Sequence, residues 1–518
     1  MAGEAHREYP PLAPARLALV TVALALAIFM NILDVSIANV SIPTIAGYLG
    51  VSAERGTWII TSFAVSNAIA VPVSGWLARR VGEVRLFVVC TLLFTLFSWL
   101  CGLSFSFPML LIARALQGAA AGPMIPLSQS LLLSNYPPER HGFANGIWGM
   151  TAVVGPVAGP ILGGWITDNI TWSWIFYINV PIGLMAAWAS WVLLRDRETA
   201  TRKQPIDRVG LALLIVGVAC LQVMLDKGNV QGWFGSRQIV ILGLIALVSL
   251  TVLVIWELTD EHPVVDLSLF GRRNFAVASI AMAFGYMAFF GAIVILPLWL
   301  QTQEGYTATW AGLAASSLGI LGIVASPIIG RLADKVDPRV LVTVGFAIFA
   351  GVSFANAEAI SGISFSQIFL PRLIWGIGTA CFFIPLITLS LGGLRPSQLA
   401  SASGLFNFVR LLALGFGTSI SVTLWDRRAT YHDYHLTAGL TPYSVQTQQW
   451  LDQAHALGMG SLQSLGVLAR TVSQQAFVLA TNDVFWLSGW VFLALIGVIW
   501  LARSPERRPG RPAAVEAG

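Results

Sequence analysis

An all-α polytopic membrane protein with fourteen spanning helices is the fold class the sequence predicts, on three observations. Of its 518 residues, 56% are hydrophobic and only 11% charged, whereas soluble globular chains carry about 25% charged residues. Apolar runs of roughly 20 residues, the length that crosses a hydrocarbon core about 30 Å thick, recur along nearly the whole chain. Two stretches of the first half also return in the second. "GWLARRVGEVR" from Gly75 returns as "GRLADKVDPRV" from Gly330, and "ARALQGAAAGPMIPL" around Arg114 returns as "PRLIWGIGTACFFIPL" around Arg372, with one residue inserted. Two related half-bundles of this kind place a substrate site at their interface near the midplane.

The spans are expected at about 17–43, 56–78, 84–104, 107–133, 143–167, 172–194, 208–226, 238–258, 275–300, 309–333, 339–358, 365–391, 400–425 and 482–503. Ahead of them 1–16 is a polar, proline-rich tail, and the apolar run that follows is too long for the core of a cleaved signal peptide, so the first helix is expected to be retained. Six spans make an N-terminal bundle over 17–195. The next two, within 196–274, have no counterpart in the repeat and read as an insertion. The last six make a C-terminal bundle over 275–503, followed by a tail over 504–518.

Placing the N-terminus in the cytoplasm puts about 21 of the 30 basic residues inside and about six outside, among the former Arg79, Arg80, Arg202, Lys203 and Arg331. An even number of spans then returns the C-terminus to the cytoplasm. The segment 426–481 is a periplasmic loop in this arrangement, and its length demands structure of its own or a partner. Within it Trp450, Leu451, Ala454 and Leu457 fall at helical spacing, as in a helix lying on the outer face.

The net charge of +5 is spread over many short loops rather than gathered in one patch, which argues against a nucleic-acid partner. Cys90, Cys101, Cys220 and Cys381 sit in apolar segments without paired or metal-ligand spacing and read as packing residues. There is no Walker loop, metal-binding His/Glu spacing or nucleophile elbow, so a membrane enzyme is not expected.

Asp34, in "FMNILDVSIANVSIP", interrupts an uncharged run. An acid at the centre of a spanning helix costs roughly 2.5–3.5 kcal/mol on insertion scales, and something must recover that cost. At 1.5 Å per residue Asp34 lies roughly 25 Å from the cytoplasmic start of its helix, and Arg114 roughly 9 Å below the outer surface. Their depths agree to within about 5 Å. A nearby cation favours the charged carboxylate and desolvation the neutral one, so a rearrangement that changes either loads or releases a proton. The alternative is a fixed ion pair that orients two helices. Glu358, near the outer edge, reads as a solvated helix end, and all six histidines fall in expected tails or loops.

Arg114, Gln117, Ala121, Met124 and Ser128 share one helix face; the repeat places Arg372, Trp375, Thr379 and Phe382 on another. Together with Asn31, Tyr286 and Phe290 these are the candidates for a cavity that takes bulky amphipathic compounds, packing being the alternative. Gly155, Gly159 and Gly163, interleaved with Pro156 and Pro160, form a small-residue face for close helix contact. Asn407 and Arg410 sit mid-helix without an obvious acid, and hydrogen bonding to helix ends at the bundle interface is the expected role of Arg410.

The loop residues Gly75, Leu77, Ala78, Arg80 and Gly82 resemble the signature of the major facilitator superfamily. With "LDVSIANVSIP", "GPVAGPILGGWITDN", "WSWIFYINVPIG", "PVVDLSLF" and "GYTATWAGLA", the chain resembles that superfamily's fourteen-helix drug:proton antiporters of the EmrB type over nearly its whole length. The resemblance implies a major-facilitator-type fold in the bacterial inner membrane. It implies export of hydrophobic compounds driven by the proton gradient with no cofactor, and a periplasmic adaptor and outer-membrane channel as partners. It matches Asp34 and Arg114 to the family's proton-coupling acid and arginine, and the glycine-proline run to its antiporter motif, a hinge and seal. A symporter or facilitator for a nutrient or metabolite is the neighbouring reading, and the glycine-proline run argues against it. The family's first loop carries an acid where this chain has Arg79, so a charge latch is expected instead at Asp334 in the second copy.

Overall fold

The computed structural model describes residues 12–51, 53–201, 207–260, 263–358, 360–441 and 443–503. Arg202, Lys203 and most of both terminal tails, including the C-terminal arginines, lie outside the described residues.

The described secondary structure is helical throughout. The long helices are α1 Pro14–Tyr48, α2 Trp58–Val81, α3 Glu83–Gly102, α4 Phe107–Asn135, α5 His141–Asn169, α6 Asn179–Leu194, α7 Arg208–Lys227, α8 Arg237–Thr259, α9 Arg273–Thr302, α10 Leu318–Ala333, α11 Pro338–Asn356, α12 Phe365–Leu391, α13 Pro396–Ala438 and α14 Ser461–Ile499. Short helices Trp174–Tyr177 and Ala308–Ser316 lead into α6 and α10. Among the described residues thirteen helices are long and apolar enough to cross a membrane, and α5, at 29 residues, supplies the remaining long segment.

The same partners meet in each half. In the first, α1 packs on α5 and α6, α2 on α4, and α3 on α4 and α6; in the second, α9 packs on α13 and α14, α10 on α12, and α11 on α12 and α14. The halves join through α5 against α10 and α2 against α13, an arrangement that a twofold exchange of the bundles would reproduce. Helices α7 and α8 pack on each other, and α7 reaches both bundles: Thr61 of α2 donates to Asp226 at 2.8 Å, and Ser419 of α13 donates to the Leu225 carbonyl at 2.8 Å.

The segment 426–481 differs from its expected form. Helix α13 runs unbroken to Ala438, and α14 begins at Ser461, well before the expected start of the last span. Only 439–460 joins them, and it contains the short helix Val445–Ala456, which includes Trp450, Leu451 and Ala454; Leu457 caps it and is exposed. Arg428 and His432 on α13 each approach Asp483 of α14 at 2.6 Å, so the projecting helices are tied together. His432 and His435 therefore stand on α13, His455 on the short helix and His141 at the start of α5, not in tails or loops, while His6 and His262 lie outside the described residues.

Candidate functional site

Asp34 on α1 points into the first bundle and, like Arg114 on α4, has no exposed surface. Arg114 Nη1 donates to Asp34 Oδ2 at 2.6 Å. The other carboxylate oxygen accepts from Gln117 Nε2 at 3.0 Å and from Asn179 Nδ2 at 2.9 Å. Arg114 is itself held, donating to Gln117 Oε1 at 2.8 Å and, through Nε, to the Ile59 carbonyl at 3.2 Å. Its guanidinium carbon lies 4.4 Å from the centre of the Phe63 ring. Asn179 also donates to Ser98 Oγ at 3.0 Å. Helices α1, α2, α3, α4 and α6 thus converge on one carboxylate.

A buried charge is tolerated when paired and hydrogen-bonded, which is how Asp34 is placed. The donors belong to helices other than α1, so sliding α1 against α4 or α6 would remove some of them together. Asn179 and Ser98 did not emerge from the sequence as site residues. The available signal for Asn179 is that it is the one amide in "WSWIFYINVPIG".

The glycine face of α5 lies on the same helix as Asp34. A Cβ at Gly155 would meet Ile32, one at Gly159 would meet Ser36 and one at Gly163 would meet Ile37, so these glycines let the two backbones approach around the acid. The side chains of Pro156 and Pro160 lie outside the described residues.

The hydrogen bonds between the bundles gather at the end carrying the α2–α3 and α10–α11 connections. Asp334, just after α10, accepts from the backbone N–H groups of Gly142 and Phe143 at 2.6 and 3.0 Å, so it addresses the start of α5. Burial pushes its carboxyl above the usual range, outweighing these two donors and nearby Arg140. On the other side of the twofold, Arg79 Nη1 donates to Ser401 Oγ near the start of α13. Gly75 lies so close to Ser401 that a Cβ would collide with it. Gly82, at φ +99°, ends α2 in a conformation that side chains rarely adopt and turns the chain directly into α3. Ser403 donates to Gln129, and Asn407 donates back to the Ser403 carbonyl at 2.8 Å. These bonds tie the two bundles together at this end.

Most of the expected cavity residues do not face a cavity. Asn31 donates to the Ala121 carbonyl at 3.1 Å and approaches Met124 Sδ at 3.9 Å, inside the first bundle. Gln117 belongs to the Asp34 network. Arg372, Trp375 and Phe382 are buried within the second bundle, where the Trp375 ring centre lies 4.7 Å from that of Phe349, and Phe382 packs on Phe346 and Phe349. Helical spacing groups these residues correctly but cannot show that their face turns toward its own bundle.

Tyr286 and Phe290 are only half-buried and pack with half-buried Phe383, at ring separations of 4.5 and 5.4 Å from Tyr286. Phe284 is 53% exposed, and Tyr286 lies about 200° further round α9, so the two face different surroundings. Arg410 does not bond helix ends as expected. Its guanidinium carbon lies 5.9 Å from the ring centres of Trp148 in the first bundle and Tyr286 in the second. The helix ends are met by Asp334 and Arg79 instead.

A sequence model described as Major Facilitator Superfamily matches residues 24–418. The chain is 51% identical over 504 residues to the multidrug export protein EmrB of Haemophilus influenzae, covering 97% of this chain and 99% of that protein. It is 49% identical to the protein of the same name from Escherichia coli strain K12, covering 96% and 98%. It is 46% identical to the fatty acid resistance protein FarB of Neisseria gonorrhoeae, covering 97% and 99%. Among solved structures, the human organic anion transporter MFSD10 aligns with a TM-score of 0.59 at 13% identity, covering 93% of this chain and all of that one, a likeness of fold alone.

Proposed function

Because the chain belongs to the Major Facilitator Superfamily, a family of transporters, we propose that this multi-pass membrane protein is a proton-coupled antiporter. It would export hydrophobic and amphipathic compounds across the bacterial inner membrane by alternating access. Relatives named for multidrug export and for fatty acid resistance support an apolar cargo. The single observation that carries proton coupling is the sealed carboxylate of Asp34, satisfied by Arg114, Gln117 and Asn179 on two other helices.

In this reading the bundles rock about the interface between them. Helix α5 links the two events: its start makes the seal with Asp334, and its glycine face rides on α1 beside Asp34. Breaking the seal shifts α5, α1 moves with it, and Asp34 loses donors. A carboxylate left in a low dielectric without its cation takes a proton; restoring Arg114 expels it. With both termini in the cytoplasm, the end held by Asp334 and Arg79 would be the inner one. An inward proton gains about 2.3 kcal/mol per 100 mV of membrane potential, and no cofactor is needed. A periplasmic adaptor and an outer-membrane channel complete the route, with the projecting ends of α13 and α14 as the surface available to the adaptor.

The test is proton flux into proteoliposomes on addition of an apolar drug, for the wild type and Asp34→Asn. The variant is expected to fold and to lose drug-dependent flux. Flux equal to wild type would overturn the assignment.

A further inference from the structure

At the other end of α2 from the Arg79 contact lies a cavity of about 220 Å³ that the proposed transport cycle does not use. Three helix termini meet around it: the start of α2 at Trp58, the end of α7 at Lys227 and the start of α8 at Arg237. It therefore sits at the level where spanning segments pass from lipid to water. Arg55, Lys227, Gln231, Gln238 and the Trp58 ring form one part of its lining. Arg55, Gln231 and Gln238 are exposed and Lys227 is half-buried, so the polar groups frame the mouth. Val223, Ile239 and Leu242 line the rest, and Ile239 is buried. Lys227 is held in place, because its ammonium donates to Thr57 Oγ1 at 3.2 Å and lies 5.2 Å from the centre of the Trp58 ring. An ammonium has three donors, so two are left to face a ligand. No acid is among the described lining residues, and the carboxylate of neighbouring Asp226 accepts from Thr61 at 2.8 Å instead.

We propose that this cavity binds the headgroup of an anionic glycerophospholipid. Two cations without a lining acid select an anion, and a phosphodiester offers acceptor oxygens to the Lys227 ammonium while Arg55 adds positive charge at the mouth. The Gln231 and Gln238 amides suit the hydroxyl groups of a glycerol substituent. The volume lies below the roughly 300–1,000 Å³ of pockets that enclose drug-sized compounds, so this is a lipid site and not a cargo site. A lipid is favoured over a soluble anion by what continues from the mouth. In the next turn of α8, Ile241 and Leu244 are 45% and 56% exposed and present apolar surface to acyl chains, and a tryptophan beside a cation marks the interfacial level. Bound there, the lipid touches α2 of the first bundle and both inserted helices, a further tie between them beside the Thr61–Asp226 bond.

The test titrates the full-length protein in detergent with dioctanoyl phosphatidylglycerol, dioctanoyl phosphatidylcholine or glycerol 3-phosphate, followed by native mass spectrometry. Wild type is expected to hold one phosphatidylglycerol at least about fivefold more tightly than phosphatidylcholine, the scale of one ion pair near water. Glycerol phosphate, a headgroup without chains, should bind more weakly than either the wild type's preferred lipid or its dioctanoyl analogues at that site. Lys227→Gln keeps a donor for Thr57 and should abolish the preference between the two lipids. Gln238→Glu places an acid at the mouth and should abolish it as well; in the first turn of α8 a negative charge suits the helix dipole, so this variant is expected to fold as wild type does. Arg237→Gln removes a neighbouring cation that is outside the lining and should leave the preference intact. A wild type without the preference, a folded Lys227→Gln or Gln238→Glu variant that keeps it, or an equal loss in Arg237→Gln overturns the proposal. Glycerol phosphate bound as tightly as phosphatidylglycerol overturns it too, by making this a site for a soluble anion.

Discussion

Arg114 and Arg372 stand at corresponding points of the two bundles, both buried and both beside aromatic rings, yet only Arg114 meets an acid. Around Arg114 the first bundle supplies Asp34, Gln117, Asn179 and a backbone carbonyl. Around Arg372 the second supplies Trp375 at 5.8 Å, and none of its three nitrogens has a hydrogen-bond partner among the described residues. Corresponding positions thus carry a polar network on one side and an aromatic core of Phe289, Phe349, Phe382, Trp375 and Phe492 on the other. The two halves share their helix packing and differ in their chemistry at this point.

The contrast is most exposed to test at the arginines. Arg114→Ala leaves the Asp34 carboxylate buried without its cation and should cost about 3–5 kcal/mol, read as a lower unfolding midpoint in detergent. Arg372→Met should do the opposite, because it replaces an unpaired buried guanidinium with an apolar chain of similar length. A gain of about 1–4 kcal/mol is expected, and a loss as large as that of Arg114→Ala would mean that the second bundle hides an equivalent partner. Asn179→Ala removes donors to Asp34 and Ser98 and should cost about 1.5–3 kcal/mol, with drug-dependent proton flux impaired.

The smallest effect concerns the seal. Burial raises the affinity of Asp334 for a proton in the closed form, so protonation is linked to closure. Closure is favoured as pH falls and weakened as pH rises through and above the ordinary carboxylate range. Distances between labels at the starts of α5 and α11 should follow that sign, and Asp334→Asn should flatten the dependence.

The spans were legible because lipid demands long apolar runs, and the repeat was legible because two loops kept their glycines. The contact between Asp34 and Arg114 could be foreseen from depth alone, since two charges at one level in oil have few other partners. The ends of α13 and α14 were not legible: beyond the expected spans, residues such as Arg428, His432 and Gln475 are polar, and a helix continuing past its apolar stretch leaves no hydropathy signal. The burial of Trp375 and Phe382 was hidden for a different reason. An aromatic stripe looks the same from sequence whether it lines a cleft or fills a bundle.

Helices α13 and α14 both belong to the second bundle and leave it without a break. The thirteen residues from 426 to Ala438 make an arm about 20 Å long, stiffened by the Asp483 clamp. Such an arm is a crank: a few degrees of tilt in the bundle become a sideways sweep of ångströms at its tip. If the bundles rock as proposed, a fluorophore at Leu457 would report the sweep, and anything seated there would be pushed with it.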